Sequence, residues 1–344
     1  MNVPKLRFKE FNDNYLRLKY KDVLKIKSGK DQKQVECENG IYPILGTGGQ
    51  IGKTNSFLYD KPSVLIGRKG TINKPQYMET PFWTVDTLFY SHIYEPNIPK
   101  YLFYSFQNVN WKKYDESTGV PSLSSSTIEG VDCNIPSKEE QLKVANFLSL
   151  LDKKIELQSK KIEDLKLFKL CINNILFNGN KTIKLKDICE CKSSTISLSD
   201  IEYDDGMYPI YGANGEIKKI NSYQNDKDYL AIIKDGAGVG KTIICNKKSS
   251  IIATLSALIP NGIPVYYFNE LINKIDFSKY IVGSGIPHIY FKDYSNEKLY
   301  LHEEKKRVLI NNLFKRIIIK IELEENKLHL LETVKKGLMQ SMFV

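Results

Sequence analysis

Cysteine and histidine are sparse in this chain and never gather. Cys37, Cys133, Cys171, Cys189, Cys191 and Cys245 form no CxxC unit, and His92, His288, His302 and His329 are scattered. That spacing argues against a zinc site and leads one to expect free thiols in a reducing cytoplasm. Long apolar runs are missing too: Ile317-Ile318-Ile319 is framed by Arg316 and Lys320, so no membrane span is expected. The opening Met1 to Phe8 carries no apolar signal core, so secretion is not expected. Catalytic signatures fail in turn. There is no Asn-Pro-Pro-aromatic or Asp-Pro-Pro-aromatic methyltransferase motif, no GxSxG and no HExxH. Asp235 to Thr242 imitates a phosphate loop, but Asp235 stands where the pattern requires glycine, so a strand-flanked turn is expected. Asp204-Asp205 and Glu303-Glu304 read as a turn and a helix start rather than as acid-base partners. No residue set is equipped to make or break a bond, and no cofactor or metal is implied.

What the chain does contain is a second copy of itself. Gly40-Ile41-Tyr42-Pro43-Ile44-Leu45-Gly46 returns as Gly206-Met207-Tyr208-Pro209-Ile210-Tyr211-Gly212, so that Gly40 answers to Gly206. From Gly40 to Lys61, 12 of 22 positions match their counterparts in this register. The register persists at Gly119-Val120-Pro121 against Gly285-Ile286-Pro287, and at Ile155-Glu156-Leu157 against Ile321-Glu322-Leu323. The segment from Thr71 to Glu116 keeps little identity with Ala237 to Val282. A shared frame with a divergent middle describes modules that do one job on different targets. The shared residues are mostly glycine, proline, tyrosine and apolar types, which serve turns and packing rather than chemistry. Two similar modules suit a partner with two half-sites, and duplex DNA is the commonest such partner. The net charge of +10 would draw phosphate backbones.

Each copy divides into a mixed globular part and a long helix. Ser63–Gly67, Asp86–Tyr90, Asp228–Ile233, Thr242–Cys245 and Ile251–Leu255 read as strands, with helices opening at Pro99 and Ile263. The period then changes. Ser137 is placed to cap a helix with Glu140 at the capping-box position, and no proline or glycine follows until beyond Phe177. Leu148, Leu151, Ile155, Ile162, Leu165, Ile172 and Ile175 form its apolar stripe. The second helix, from about Glu303 to Met342, carries Ile310, Phe314, Ile317, Ile321, Leu328, Leu331, Leu338 and Met342. These are coiled-coil seams. The stripe misses at Gln158 and Lys169, and again at Glu324 and Lys335, the equivalent positions of the repeat. Shared defects indicate helices of common descent that pair with each other. About 38 residues at 1.5 Å each make rods of roughly 57 Å.

The order of parts, a variable globular domain, then Ile135-Pro136-Ser137-Lys138-Glu139-Glu140-Gln141, then a long helix, then all of it again, resembles the specificity subunit of type I restriction-modification systems. Pro-x-x-x-Glu-Gln before the helix is similar to that family's central region, and Pro4-Lys5-Leu6-Arg7-Phe8 resembles its N-terminus. The second copy departs from the motif: Leu301-His302-Glu303-Glu304-Lys305 lacks both the proline and the glutamine, so partner docking at the second helix is expected to differ from docking at the first. The resemblance implies an α+β fold, with two target-recognition domains (1–138 and 181–302) separated by two long antiparallel helices (139–180 and 303–344). It implies a non-catalytic chain that reads a bipartite, asymmetric double-stranded DNA site and is bound by two methylation subunits and by restriction subunits.

Under that reading, DNA would meet loops of the globular parts. Candidates are Arg68, Lys69, Lys74 and the run from Ser122 to Ser125, with Ser122 and Ser124 foremost; in the second copy they are Lys234, Lys241, His288, Tyr290 and Lys292. Many of the lysines are expected to touch phosphates alone, while Arg68 suits a bidentate contact to guanine. Two other readings compete: a coiled-coil scaffold that binds only proteins, and a nucleotide-binding enzyme built on the loop ending Gly240-Lys241-Thr242. A DNA reader would lose affinity steeply with salt, and neither rival would.

Overall fold

A computed structural model describes residues 3–201 and 206–343. The Asp204-Asp205 pair lies outside them. The chain forms two compact units, residues 1–158 with 327–344, and residues 159–326.

In the first unit, Ser63–Gly67 is buried at every position, as expected of a strand covered on both faces. It lies between Leu88–Ile93 and Gln76–Met78, and Leu24–Lys27 completes a four-stranded antiparallel sheet. A second sheet pairs Tyr42–Gly46 antiparallel with Gly49–Thr54 and parallel with Trp83–Thr84. Leu16–Lys19 pairs with Asp132–Ile135 beneath the start of the long helix. The core holds Trp111, Tyr20, Tyr101, Tyr104 and Phe106, with Val144, Ala145, Leu148, Met339 and Met342 from the two long helices and Phe343 just beyond the second.

The second unit repeats this plan, although Ser250–Ile251 and Leu255–Pro260 stand one residue off the register of the sequence repeat. Tyr229–Ile233 is again buried throughout, between Leu255–Pro260 and Thr242–Cys245, with Cys189–Ser193 at the edge. Tyr208–Gly212 pairs with Gly215–Ile220 and Ser250–Ile251. Even the irregularities recur. The first hairpin slips register between Ile44 and Leu45, the second between Ile210 and Tyr211. Gly40 and Gly206 are retained for the same reason: a Cβ would stand 2.2 Å from the Thr54 nitrogen in one and 2.1 Å from the Ile220 carbonyl carbon in the other. The divergent middle keeps the strand order but not the exact register: Ile44 pairs with Trp83 while Ile210 pairs with Ser250, one residue further on than the repeat predicts.

One expected strand is divided. Ser250–Ile251 belongs to the three-stranded sheet and Leu255–Pro260 to the four-stranded one, with a turn between them in which the Leu255 N–H donates to the Ile252 carbonyl. A short run of strand-forming residues does not record which sheet each residue joins.

The long helices span Lys138–Leu176 and Glu304–Met342, 39 residues each. Within each unit they run antiparallel. Leu148 and Leu151 share a core with Leu338 and Met342, and Leu165, Ile172 and Leu176 share one with Ile310, Phe314, Ile317 and Ile321. Of the seam positions, Leu148, Ile162, Ile317 and Ile321 are buried, and Leu151, Ile155, Leu165, Leu328, Leu331 and Leu338 half-buried. Ile175 leaves the stripe and is 75% exposed; Asn173 and Phe177 turn inward instead.

The polar misses have partners. Lys335 pairs with Asp152 at 2.5 Å, and Lys169 with Glu270 at 2.6 Å. Tyr104, the counterpart of Glu270, donates to Asp152 at 2.6 Å. The lysine and its acid thus persist in both copies, although the acid has moved from the short helix to the long one. Gln158 and Glu324 are both buried, and Glu324 accepts from Lys161 at 2.8 Å.

The motif ahead of the first helix points inward. Ser137 accepts the Glu140 N–H at 3.3 Å, which is half of a capping box. The Glu140 carboxylate does not return to the cap. It takes two hydrogen bonds from Arg7, at 2.8 and 2.7 Å, and one from the Tyr15 hydroxyl at 2.9 Å. Burial, then the bond to Glu140, pushes the Tyr15 phenol well above its ordinary range. Gln141 accepts from the Ile98 N–H at 2.9 Å, at the mouth of helix Pro99–Asn108, and donates to the Pro136 carbonyl. In the second unit Asn311 takes over this anchoring, accepting from the Tyr266 and Tyr267 N–H groups at 3.1 Å each. The motif's absence there reflects another way of tying the helix down.

Burial pushes the thiols of Cys133, Cys189 and Cys245 up to about 12, as befits inert core residues. Among the described residues no helix is long and apolar enough to cross a membrane, and no group of three His, Cys, Asp or Glu is placed to hold a metal.

Candidate nucleic-acid interface

In both units the turn after the central strand is stitched to the Gly-x-Pro segment by the same backbone bonds. The Gly70 N–H donates to the Pro121 carbonyl at 2.8 Å, and the Gly236 N–H to that of Pro287 at 2.9 Å. Leu123 donates to the Arg68 carbonyl at 2.9 Å, and Ile289 to that of Lys234 at 3.0 Å. Gly70 and Gly236 adopt φ of +89° and +90°, the left-handed turn that only glycine takes without strain. Two loops distant in sequence are so fixed side by side, and their side chains project from a rigid base.

In the first unit this brings together Arg68, Lys69, Ser122 and Ser124, which line one groove with Ser28, Phe89, Glu116 and Leu123. Arg68 and Lys69 are exposed. Ser124 is already engaged: its hydroxyl caps helix Ser125–Gly130 by accepting from Thr127, and donates to Glu116 at 2.8 Å. Lys74 is not part of this groove. It lines another, with Gln107, Asn110, Asp152 and Lys335.

Sequence reasoning passes over two acids here. Asp115 accepts the Ser122 N–H at 2.9 Å, and Glu116 binds Thr127 and Ser124. Those bonds hold both carboxyls below their ordinary range: for Asp115 the Ser122 and Ser117 amides, for Glu116 the hydroxyls of Thr127 and then Ser124. Both therefore stay charged at neutral pH, and exposed carboxylates beside Arg68 can accept from base amino groups. Only their contacts reveal them, since they lie in the divergent stretch.

The second unit fills the same frame differently. Lys234 replaces Arg68, Asp235 replaces Lys69, His288 replaces Ser122 and Tyr290 replaces Ser124. His288 Nδ1 lies 2.8 Å from an Asp235 carboxylate oxygen. Its ring stacks with that of Tyr290, which lies under the Lys292 ammonium at 5.5 Å. Lys241 stands on the facing side of the hairpin, its carbonyl accepting the Ile233 N–H at 2.9 Å. The segment from Asp235 to Thr242 joins two antiparallel strands. No helix follows it to receive a phosphate, so the nucleotide-binding reading falls.

A repeated module with variable loops on a constant frame, carried by two long helices, defines the architecture of a specificity protein. The family model for the type I restriction modification DNA specificity domain matches residues 12–167 and again 178–333. The two matches stand in the same register as the sequence repeat, and the chain belongs to this family. No curated protein matches. Among solved structures, the chain resembles the S subunit of a type I restriction-modification system from M. genitalium, at 18% identity and a TM-score of 0.77 over 99% of both chains. It also resembles a chain from a study of complex assembly and conformational transition in the type I system, at 13% identity and a TM-score of 0.53 over 96% of this chain and 97% of the other. These likenesses extend the shared fold over nearly the whole length.

Proposed function

We propose that each unit reads one half of a bipartite, asymmetric site in double-stranded DNA, and that the chain performs no catalysis itself. The globular parts, 1–138 and 181–302, are the readers. The helical parts, 139–180 and 303–344, set the spacing and carry two methylation subunits, which restriction subunits join. The observation that carries this reading is the pairing of Arg68 with Lys234, Lys69 with Asp235, Ser122 with His288 and Ser124 with Tyr290 on one backbone frame. Identical scaffolds that present different donors and acceptors suit different base edges.

The helices support the partner part of the reading. Their exposed apolar residues recur in the register of the repeat: Leu142 with Val308, Leu157 with Leu323 and Phe168 with Val334, all at least 44% exposed. Equivalent outward faces suit two copies of one partner. A gel-shift series over increasing salt tests the DNA part. A reader loses affinity linearly on logarithmic axes; a chain that forms no defined duplex complex is a protein scaffold instead.

A further inference from the structure

The Gly-x-Pro tips have a property that the reading loops around them lack. Val120 is 64% exposed and Ile286 is 62% exposed, at equivalent positions. A Cβ on the preceding Gly119 or Gly285 would meet nothing within 4 Å, so each tip stands clear of its own unit. Neither tip hangs loose. The Glu116 N–H donates to the Ser122 carbonyl at 3.0 Å, and the Val282 N–H to that of His288 at 2.9 Å. The following prolines fix φ and are held by Gly70 and Gly236. A single exposed apolar residue is ordinary in any protein. Here, however, Lys69, Ser122 and Ser124 all change class between copies, while the β-branched apolar tip among them does not. Whatever these tips touch is common to both half-sites and independent of the bases read.

Resting on the DNA reading, we propose that Val120 and Ile286, each backed by its proline, are wedges that press between base steps and unstack the duplex beside the base to be methylated. Methyltransferases act on a base taken out of the stack. Apolar side chains, isoleucine and proline among them, are what proteins insert to open base steps. Stiffness at χ1 suits valine and isoleucine to that task. A base-independent wedge also explains why the two tips are interchangeable in kind.

The test uses the full chain assembled with its methylation subunits, and duplexes of the mapped site carrying 2-aminopurine next to the mapped methylated base of one half-site or the other. Binding should raise fluorescence in both duplexes. Val120→Gly should cut the rise several-fold in the first half-site and leave the second unchanged; Ile286→Gly should do the reverse. Val120→Ile should keep the full rise and the same bases read. An unchanged rise with Val120→Gly, in a complex that still binds duplex, would overturn the wedge alone. So would loss of the methylation subunits from that variant, which would make the tip a protein contact. If the unmodified assembly bound no duplex, the DNA reading itself would fall, and the wedge with it.

Discussion

Glu140 is 1% exposed and holds an arginine that keeps only 14% of its side-chain surface. Removing one partner of such a pair strands the other, so Glu140→Ala should destabilise the first unit by about 3–5 kcal/mol, seen as a lowered thermal midpoint. The same substitution tests whether the Glu-Gln motif serves folding or docking: a variant that melts normally yet loses its partners would favour docking. At the interface, Arg68→Ala should cost about 1–3 kcal/mol in binding and relax selectivity in one half-site. A uniform loss over all sequences would assign Arg68 to the phosphate backbone. His302 offers a pH readout. Burial lowers its pKa below the ordinary 6.5, while its ring bonds the Tyr267 hydroxyl at 3.0 Å. The unfolded chain therefore takes up that proton first. The stability His302 contributes is complete above about pH 6.5 and falls as the pH drops toward the folded value. His302→Gln should flatten the decline below about pH 6.5 in urea titrations followed by circular dichroism.

The helices are the most legible elements. A cap at Ser137 and an unbroken period place the first within a residue of its observed start, because periodicity over 39 residues leaves little ambiguity. The misses at Lys169 and Lys335 are visible as defects, but their acids are not: Glu270 is distant in sequence, and Asp152 lies on the opposite helix. Spacing alone puts Ile175 inward, whereas the helix end turns Asn173 inward to donate to Glu270 at 3.0 Å. The candidate site is legible as positions rather than as contacts. Turns between strands can be located, yet the bond that joins Arg68 to Leu123 links loops far apart in the chain and leaves no local mark. Burial ranks the seam. Ile321 is 8% exposed and Leu151 only half-buried. Ile321→Asp should therefore unfold its unit at lower denaturant than Leu151→Asp does, each losing several kcal/mol to a stranded charge. Equal midpoints for the two, by denaturant titration, would contradict that ranking.

At the scale of the molecule, duplication accounts for what is constant and divergence for what is specific. Sheet order, the slipped hairpin register, the turn at Gly70 and Gly236 and the paired long helices all recur. The side chains at Arg68, Lys69, Ser122 and Ser124 do not. A protein built this way should exchange readers without disturbing its frame, because each reader carries its own central sheet and glycine turn. Replacing residues 181 to 302 with the equivalent segment of a foreign relative should therefore change the second half-site alone. On the proposed reading the first half-site would depend on Arg68, Ser122 and their neighbours, which the exchange leaves untouched. The spacer would depend on the helices, which the exchange also leaves untouched. Methylation mapping of a genome that carries the chimera reads all three quantities at once. A palindromic site for the native chain, or a chimera that alters both halves, would contradict separate readers. A chimera that keeps both halves and changes only the spacer would show that residues 181 to 302 set distance rather than sequence.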